Sequence, residues 1–188
     1  MKSICVFCGS NYGNDMEYRQ AARELGKFLA SKKISLIYGG GKAGLMGEIA
    51  NAVLSHKGRV IGIIPKFLKD KELAHDNISE LFIVDTMHTR KAKMYELADG
   101  FIVMPGGYGT YEELFEVLSW LQIGIHNKPI GLLNVNGFFD PLIKMLEHTV
   151  DKGFAKPENL KLVISADNVV TLYQLMENFK PKVVNKWT

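Results

Sequence analysis

Residues 101–113 read Phe101-Ile102-Val103-Met104-Pro105-Gly106-Gly107-Tyr108-Gly109-Thr110-Tyr111-Glu112-Glu113. Four apolar residues without polar alternation describe a strand buried on both faces. Pro105-Gly106-Gly107 ends it, and Thr110 followed three residues later by Glu113 reads as a capping box that opens a helix. A strand that runs through glycines into a helix is the unit of a parallel α/β sheet. The glycines also let backbone N–H groups close around an anion, where a helix N-terminus adds partial positive charge.

The same unit recurs on both sides of this stretch. The pattern predicts strands over residues 3–8, 34–38, 59–65, 81–84, 101–104, 129–134 and 162–165. Helices are predicted over 16–33, 45–56, 87–98, 110–122, 138–151 and 169–178. The expectation is an α/β fold, a parallel sheet of about seven strands flanked by helices, in a single domain over 1–188. Residues 66–79 are the longest irregular piece, and 180–188 are expected to form a flexible tail.

Composition narrows the function. Hydrophobic residues at 47% and charged residues at 23% exclude a disordered chain. No apolar run reaches the roughly 18 residues of a transmembrane helix, so no membrane partner is expected. The first residues read as a strand rather than a secretory leader, which predicts a cytoplasmic protein. Lys+Arg 23 against Asp+Glu 20 gives +3, too mild to argue for nucleic acid, and no basic aromatic patch suggests single-strand binding. Cys5 and Cys8 are the two cysteines. Their odd spacing in a strand sends the side chains to opposite faces, against a redox pair. The five histidines are scattered, so neither metal nor redox cofactor is expected.

In open α/β sheets the ligand lies beyond the carboxyl ends of the strands. Three loops matter there. One is Gly9-Ser10-Asn11, and one is Gly39-Gly40-Gly41-Lys42-Ala43-Gly44-Leu45-Met46-Gly47. The third is the Gly-rich turn over 105–110. Neither Gly-rich turn ends as a P-loop does, and no dinucleotide fingerprint follows the first strand. Two Gly-rich turns suit a phosphorylated ligand, with plain turn geometry as the alternative. Each glycine costs about 0.5–1 kcal/mol relative to alanine in ordered structure, so three in a row ask for a reason.

Two charged positions have double readings. Glu113 either completes the capping box or acts as a catalytic acid or base. Glu112 and Glu113 add negative charge beside a supposed anion site, which a pure phosphate cradle would not select. Arg90 lies three residues after Met87 and four before Met94, on the apolar stripe of its helix, with Lys91 at the border. Arg90 there needs a partner or ligand, or it snorkels to solvent. The stretch Leu114, Phe115, Val117, Leu118, Trp120 and Leu121 is apolar nearly all round. A partner subunit, or the chain's own helices, should cover it.

Five motifs now stand together: Gly39-Gly40-Gly41 with Gly44-Leu45-Met46-Gly47; Met87-His88-x-Arg90-Lys91-Ala92-x-Met94; Pro105-Gly106-Gly107-Tyr108-Gly109-Thr110-x-x-Glu113; Gly124-Ile125-His126-x-Lys128-Pro129; and Gly131-Leu132-Leu133-Asn134. Together they resemble the Lonely Guy (LOG) family over nearly the whole chain. Lysine decarboxylase is an older label for such proteins, but nothing here resembles a pyridoxal-phosphate site. The resemblance implies a Rossmann-like fold, a homodimer or higher oligomer, and phosphoribohydrolase activity. Such a hydrolase cleaves a purine nucleoside 5′-monophosphate, of cytokinin type or AMP, to free base and ribose 5-phosphate without a cofactor.

By the same resemblance Arg90 and Glu113 carry over as the catalytic pair. Lys91, Gly106, Gly107, Tyr108, Gly109, Thr110 and Met94 carry over as substrate contacts, as do Gly9, Ser10, Gly40, Gly41 and Glu72. Ser119 stands where relatives often have Thr, and Asn11 where they often have Ser. Arg90 either binds the phosphate or neutralises or protonates the departing purine. Glycosidic cleavage through an oxocarbenium-like state suits a carboxylate such as Glu113. The alternative is a non-catalytic nucleotide or molybdenum-cofactor carrier on the same fold, which has no need of a carboxylate beside a phosphate.

Overall fold

The computed structural model of the protein describes residues 1–69, 71 and 74–180. The strands are β1 (Ser3–Phe7), β2 (Ser35–Tyr38), β3 (Val60–Pro65), β4 (Glu80–Val84), β5 (Gly100–Val103), β6 (Ile130–Leu133) and β7 (Val163–Ala166). The helices are α1 (Met16–Ser31), α2 (Gly44–Ser55), the one-turn α3 (Lys66–Lys69), α4 (Met87–Leu97), α5 (Tyr108–Gln122), α6 (Asp140–Asp151) and α7 (Val169–Glu177). Short 3-10 turns cover Val135–Gly137 and Pro157–Leu162.

All seven strands pair in parallel, in the order β4-β3-β2-β1-β5-β6-β7. The aliphatic runs of β3, β5 and β6 are buried along their whole length, whereas the edge strands β4 and β7 are half-buried. From β1 the chain builds outward to β4, then returns to place β5 on the other side of β1. The loops after β1 and β5 therefore diverge, and such a switch point leaves a crevice for ligand.

Each face of the sheet carries its own core. Ile4, Val6 and Cys8 pack with α1, α2 and α7, while Cys5, Phe7 and Phe101 pack with α4, α5 and α6. The two cysteines are free and lie on opposite faces, as their odd spacing requires. No helix among the described residues is long and apolar enough to cross a membrane.

Two expectations need correction. The capping box is not formed, because α5 opens two residues early, at Tyr108, with Gly107 as N-cap and no side-chain cap. The Gly107 carbonyl takes the N–H groups of Thr110 and Tyr111, so the backbone alone starts the helix. Residues 66–79 are not wholly irregular. They include α3, a bridge between Gly41 and Ala74, and a hydrogen bond from His75 N–H to the Gly40 carbonyl at 2.9 Å. Residues 181–188, where a flexible tail is expected, lie outside the described residues.

Candidate active site

A cavity of about 420 Å³ opens beyond the carboxyl ends of β1 and β5. The β1 loop supplies Gly9 and Ser10, α4 supplies Arg90 and Met94, and the first turns of α5 supply Gly107, Tyr108, Gly109, Thr110 and Glu113. Nine of the residues expected from sequence thus meet in one place, although Tyr108 is 95% exposed at the rim.

Arg90 is 6% exposed, which removes the snorkelling reading. Its Nη2 donates to the Gly39 carbonyl at 3.3 Å, Nη1 points at Met87 Sδ at 3.8 Å, and Nε has no hydrogen-bond partner. A buried guanidinium with an open donor, beside a cavity, is built to meet an acceptor. The seat exists because residue 39 is glycine: a Cβ there would overlap Nη2.

Two buried thiols sense the Glu113 charge. Burial pushes Cys5 well above the usual thiol range; Glu113 pushes it further and Arg90 opposes. Burial and Glu113 also raise Cys8. Both charged groups therefore lie within electrostatic reach of Cys5 in β1, and Glu113 also of Cys8 just beyond it. Cys8 lines the cavity but stays a protonated thiol, the poor nucleophile. No cluster of three metal-ligating side chains occurs among the described residues.

The two Gly-rich turns do different work. The α5 start faces the cavity. The α2 start instead docks the β1 loop: Leu45 N–H donates to the Gly9 carbonyl at 3.1 Å. Gly44, at φ +59°, has no room for a side chain because a Cβ would overlap the Ser10 backbone. Gly47 likewise lies against the Lys42 carbonyl. The expectation of two anion cradles reduces to one, and packing accounts for Gly44 and Gly47.

Other expected residues fall outside the cavity. Gly40, at φ +79°, and Gly41 hold the 74–75 segment by backbone. Gly106 lines a smaller hollow behind the loop, with Tyr12, Tyr18 and Phe138, and gives room to the Thr110 hydroxyl. Lys91 Nζ pairs with Glu112 and with Glu116, the latter at 2.9 Å. The charge of Glu112, unwelcome beside an anion, is thereby met by a cation. Ser119 Oγ donates to the Phe115 carbonyl at 2.6 Å and lines an apolar groove between α5 and α6. Glu72 lies outside the described residues. Sequence reasoning did not assign Gly39, Met46, Met87 and Glu112 to the cavity. Gly39, Met46 and Met87 stand inside motifs already singled out, but the use of Gly39 is recognisable only once Arg90 is placed.

A family model described as possible lysine decarboxylase matches residues 46–176. A cytokinin riboside 5′-monophosphate phosphoribohydrolase of Arabidopsis thaliana is 49% identical over 181 residues, 96% of this chain and 85% of that protein. A probable enzyme of the same name from Oryza sativa subsp. japonica is 45% identical over 188 residues, 98% of this chain and 77% of that protein. Among solved structures, the molybdenum cofactor binding protein of Rippkaea orientalis superposes with a TM-score of 0.70 at 20% identity, covering 95% of this chain and 97% of that one. At that identity the likeness speaks for the fold alone.

Proposed function

The chain belongs to the LOG family of cytokinin riboside 5′-monophosphate phosphoribohydrolases, and from that premise we propose that it hydrolyses the N-glycosidic bond of purine nucleoside 5′-monophosphates. The observation that carries the reading is the buried Arg90 guanidinium with its open Nε donor, in one cavity with Glu113 and the start of α5.

The 5′-phosphate rests on the first turn of α5, where N–H groups not taken by the Gly107 carbonyl and the helix dipole favour an anion. Glu113 stands one turn further along. As the C1′–N bond breaks, its carboxylate stabilises the oxocarbenium charge or takes the proton of the attacking water. Water adds to C1′, the purine leaves with a proton, and ribose 5-phosphate remains. Arg90 balances charge on the departing base or the phosphate. The carrier alternative shares the fold, but only the hydrolase gives a use to Glu113 beside a phosphate.

Substrate form tests this. AMP and isopentenyladenosine monophosphate should release free base, with GMP and CMP as comparisons. Adenosine, without the phosphate, should be slower by about 10² in kcat/KM, the worth of charge-assisted hydrogen bonds in a buried site. Chromatography of the base reads it, and equal turnover of AMP and adenosine would contradict the assignment.

The same reading includes a homodimer. Leu114, Val117 and Leu121 of α5 are buried under the chain's own fold, but Phe115 and Leu118 line the groove beside α6 together with the exposed Phe154. Phe115 and Leu118 pack only partly against the chain's own core, which leaves a flank of the apolar helix suited to a second surface. Light scattering at micromolar concentration should give twice the chain mass; a stable monomer argues against it.

A further inference from the structure

The motif Gly124-Ile125-His126-x-Lys128-Pro129 takes no part in the cavity. It joins α5 to β6, and the side chains of His126 and Lys128 each reach one of the helices that carry the proposed catalytic pair. His126 Nε2 donates to the Val117 carbonyl on α5 at 2.9 Å, and Nδ1 accepts the Lys128 N–H at 3.1 Å. Lys128 Nζ donates to the Tyr95 carbonyl on α4 at 2.6 Å and lies 3.9 Å from the centre of the Tyr95 ring. Val117 is four residues after Glu113, and Tyr95 five after Arg90. Each grip therefore falls about one helical turn from a charged group of the cavity.

We propose that His126 and Lys128 are positioning residues: together they brace α4 against α5 and so set the placing of Arg90 relative to Glu113. The proposal rests on the reading of those two as the catalytic pair. Its physical basis is the weak anchoring of α4, whose buried residues are Arg90 and Met94 alone. Tyr95 and Leu97 add partly buried contacts, so one fully buried apolar side chain, two partial ones and a guanidinium make up the hydrophobic hold of the helix. Side chains supply the rest. At the cavity end Lys91 reaches Glu112 and Glu116; at the far end Lys128 grips Tyr95, whose ring packs edge-on against Trp120 at 5.2 Å. A loop that only filled space would not bury a His126 ring at 6% exposure with both nitrogens bonded, nor half-bury an ammonium.

The hydrogen bonds fix the protonation state. Nδ1 must accept and Nε2 must donate, so the imidazole is neutral. A second proton, on Nδ1, would face the Lys128 N–H and break that bond. Burial and Lys128 already hold His126 below the ordinary histidine value. The groups facing it are Lys128 from its own loop, Tyr95 from α4 and the Phe101 ring from β5, while Asp99 faces Lys128. Above about pH 6.5 folded and unfolded chains are both neutral at this residue, and the brace is whole. As the pH falls below that, the unfolded chain takes the proton first, so the contribution is lost with acid.

The test compares Lys128→Met, Lys128→Arg, His126→Phe and His126→Gln, each by base release from AMP and by a melting curve. Lys128→Met and His126→Phe should lower kcat by about tenfold with KM for AMP within about twofold, since misplacement penalises the chemical step. Lys128→Arg keeps a donor for Tyr95 and should recover most of that loss. His126→Gln keeps a donor for Val117 but cannot titrate. It should recover kcat relative to His126→Phe and change the acid limb of the activity profile. Variants that melt earlier yet keep wild-type kcat well below melting would reduce the motif to packing and overturn the brace. So would a rise in KM alone. Should Lys128→Met or His126→Phe fail to fold, the His126→Gln profile decides, an unchanged acid limb counting against the proposal. A wild-type protein that releases no base from any purine nucleotide overturns the functional reading itself, and the brace with it; an active wild type with unaffected variants sinks the brace alone.

Discussion

Glu113→Gln is expected to lower turnover of AMP by about 10²–10⁴, the usual range for a lost acid–base group, with the melting temperature nearly unchanged. The two halves of that result separate roles that coincide in the sequence. Gln completes a capping box as well as Glu does, so a capping residue would tolerate the change. In the structure α5 begins at Tyr108 and its N-cap is Gly107, which leaves Glu113 beyond the capping positions. What the substitution removes is charge and basicity at the cavity wall. Arg90→Ala should also abolish turnover. The double variant should be no worse than the poorer single one, because groups acting on one transition state are not additive. Base release and a melting curve for each variant decide it. Near wild-type turnover of Glu113→Gln would return the carrier reading to first place.

The sequence carried the fold through local chemistry. Aliphatic runs alternating with amphipathic helices require a parallel sheet, and the glycines after β1, β2 and β5 mark where its loops open. The strand order is a different matter. The run 81–84 of edge strand β4 is as aliphatic as that of the buried β5, and only pairing shows that one is half-buried. The candidate site divides along the same line. Residues next to one another in the chain, such as the α5 turn, were legible. Contacts made across the fold were not. Lys91 reads as a substrate contact until Glu112 and Glu116 are brought beside it from α5. Thr110-x-x-Glu113 fits a capping pattern that the backbone of Gly107 makes unnecessary. The glycines of the second turn read as a phosphate cradle until Leu45 is seen bonded to Gly9.

Gly39 shows what such a contact is worth. It was not among the expected site residues, although Gly40 and Gly41 beside it were. Gly40 needs its glycine for a left-handed backbone, at φ +79°. Gly39 needs its glycine for Arg90, which stands 51 residues later: a Cβ would overlap Nη2 and lie 3.2 Å from Met46 Sδ. The atom overlapped is the end of a flexible side chain, so Gly39→Ala should fold and melt close to the wild type. The guanidinium must nevertheless leave the Gly39 carbonyl, and a displacement of about 1 Å at a catalytic group costs on the order of 10² in rate. Turnover of AMP should fall by about that factor. The same substitution placed in an Arg90→Ala background should change nothing further, because the group it displaces is already gone. A Gly39→Ala enzyme with wild-type turnover would show that the seat of Arg90 on the β2 loop is incidental to the reaction, and a further fall in the Arg90→Ala background would show that Gly39 acts on something other than Arg90.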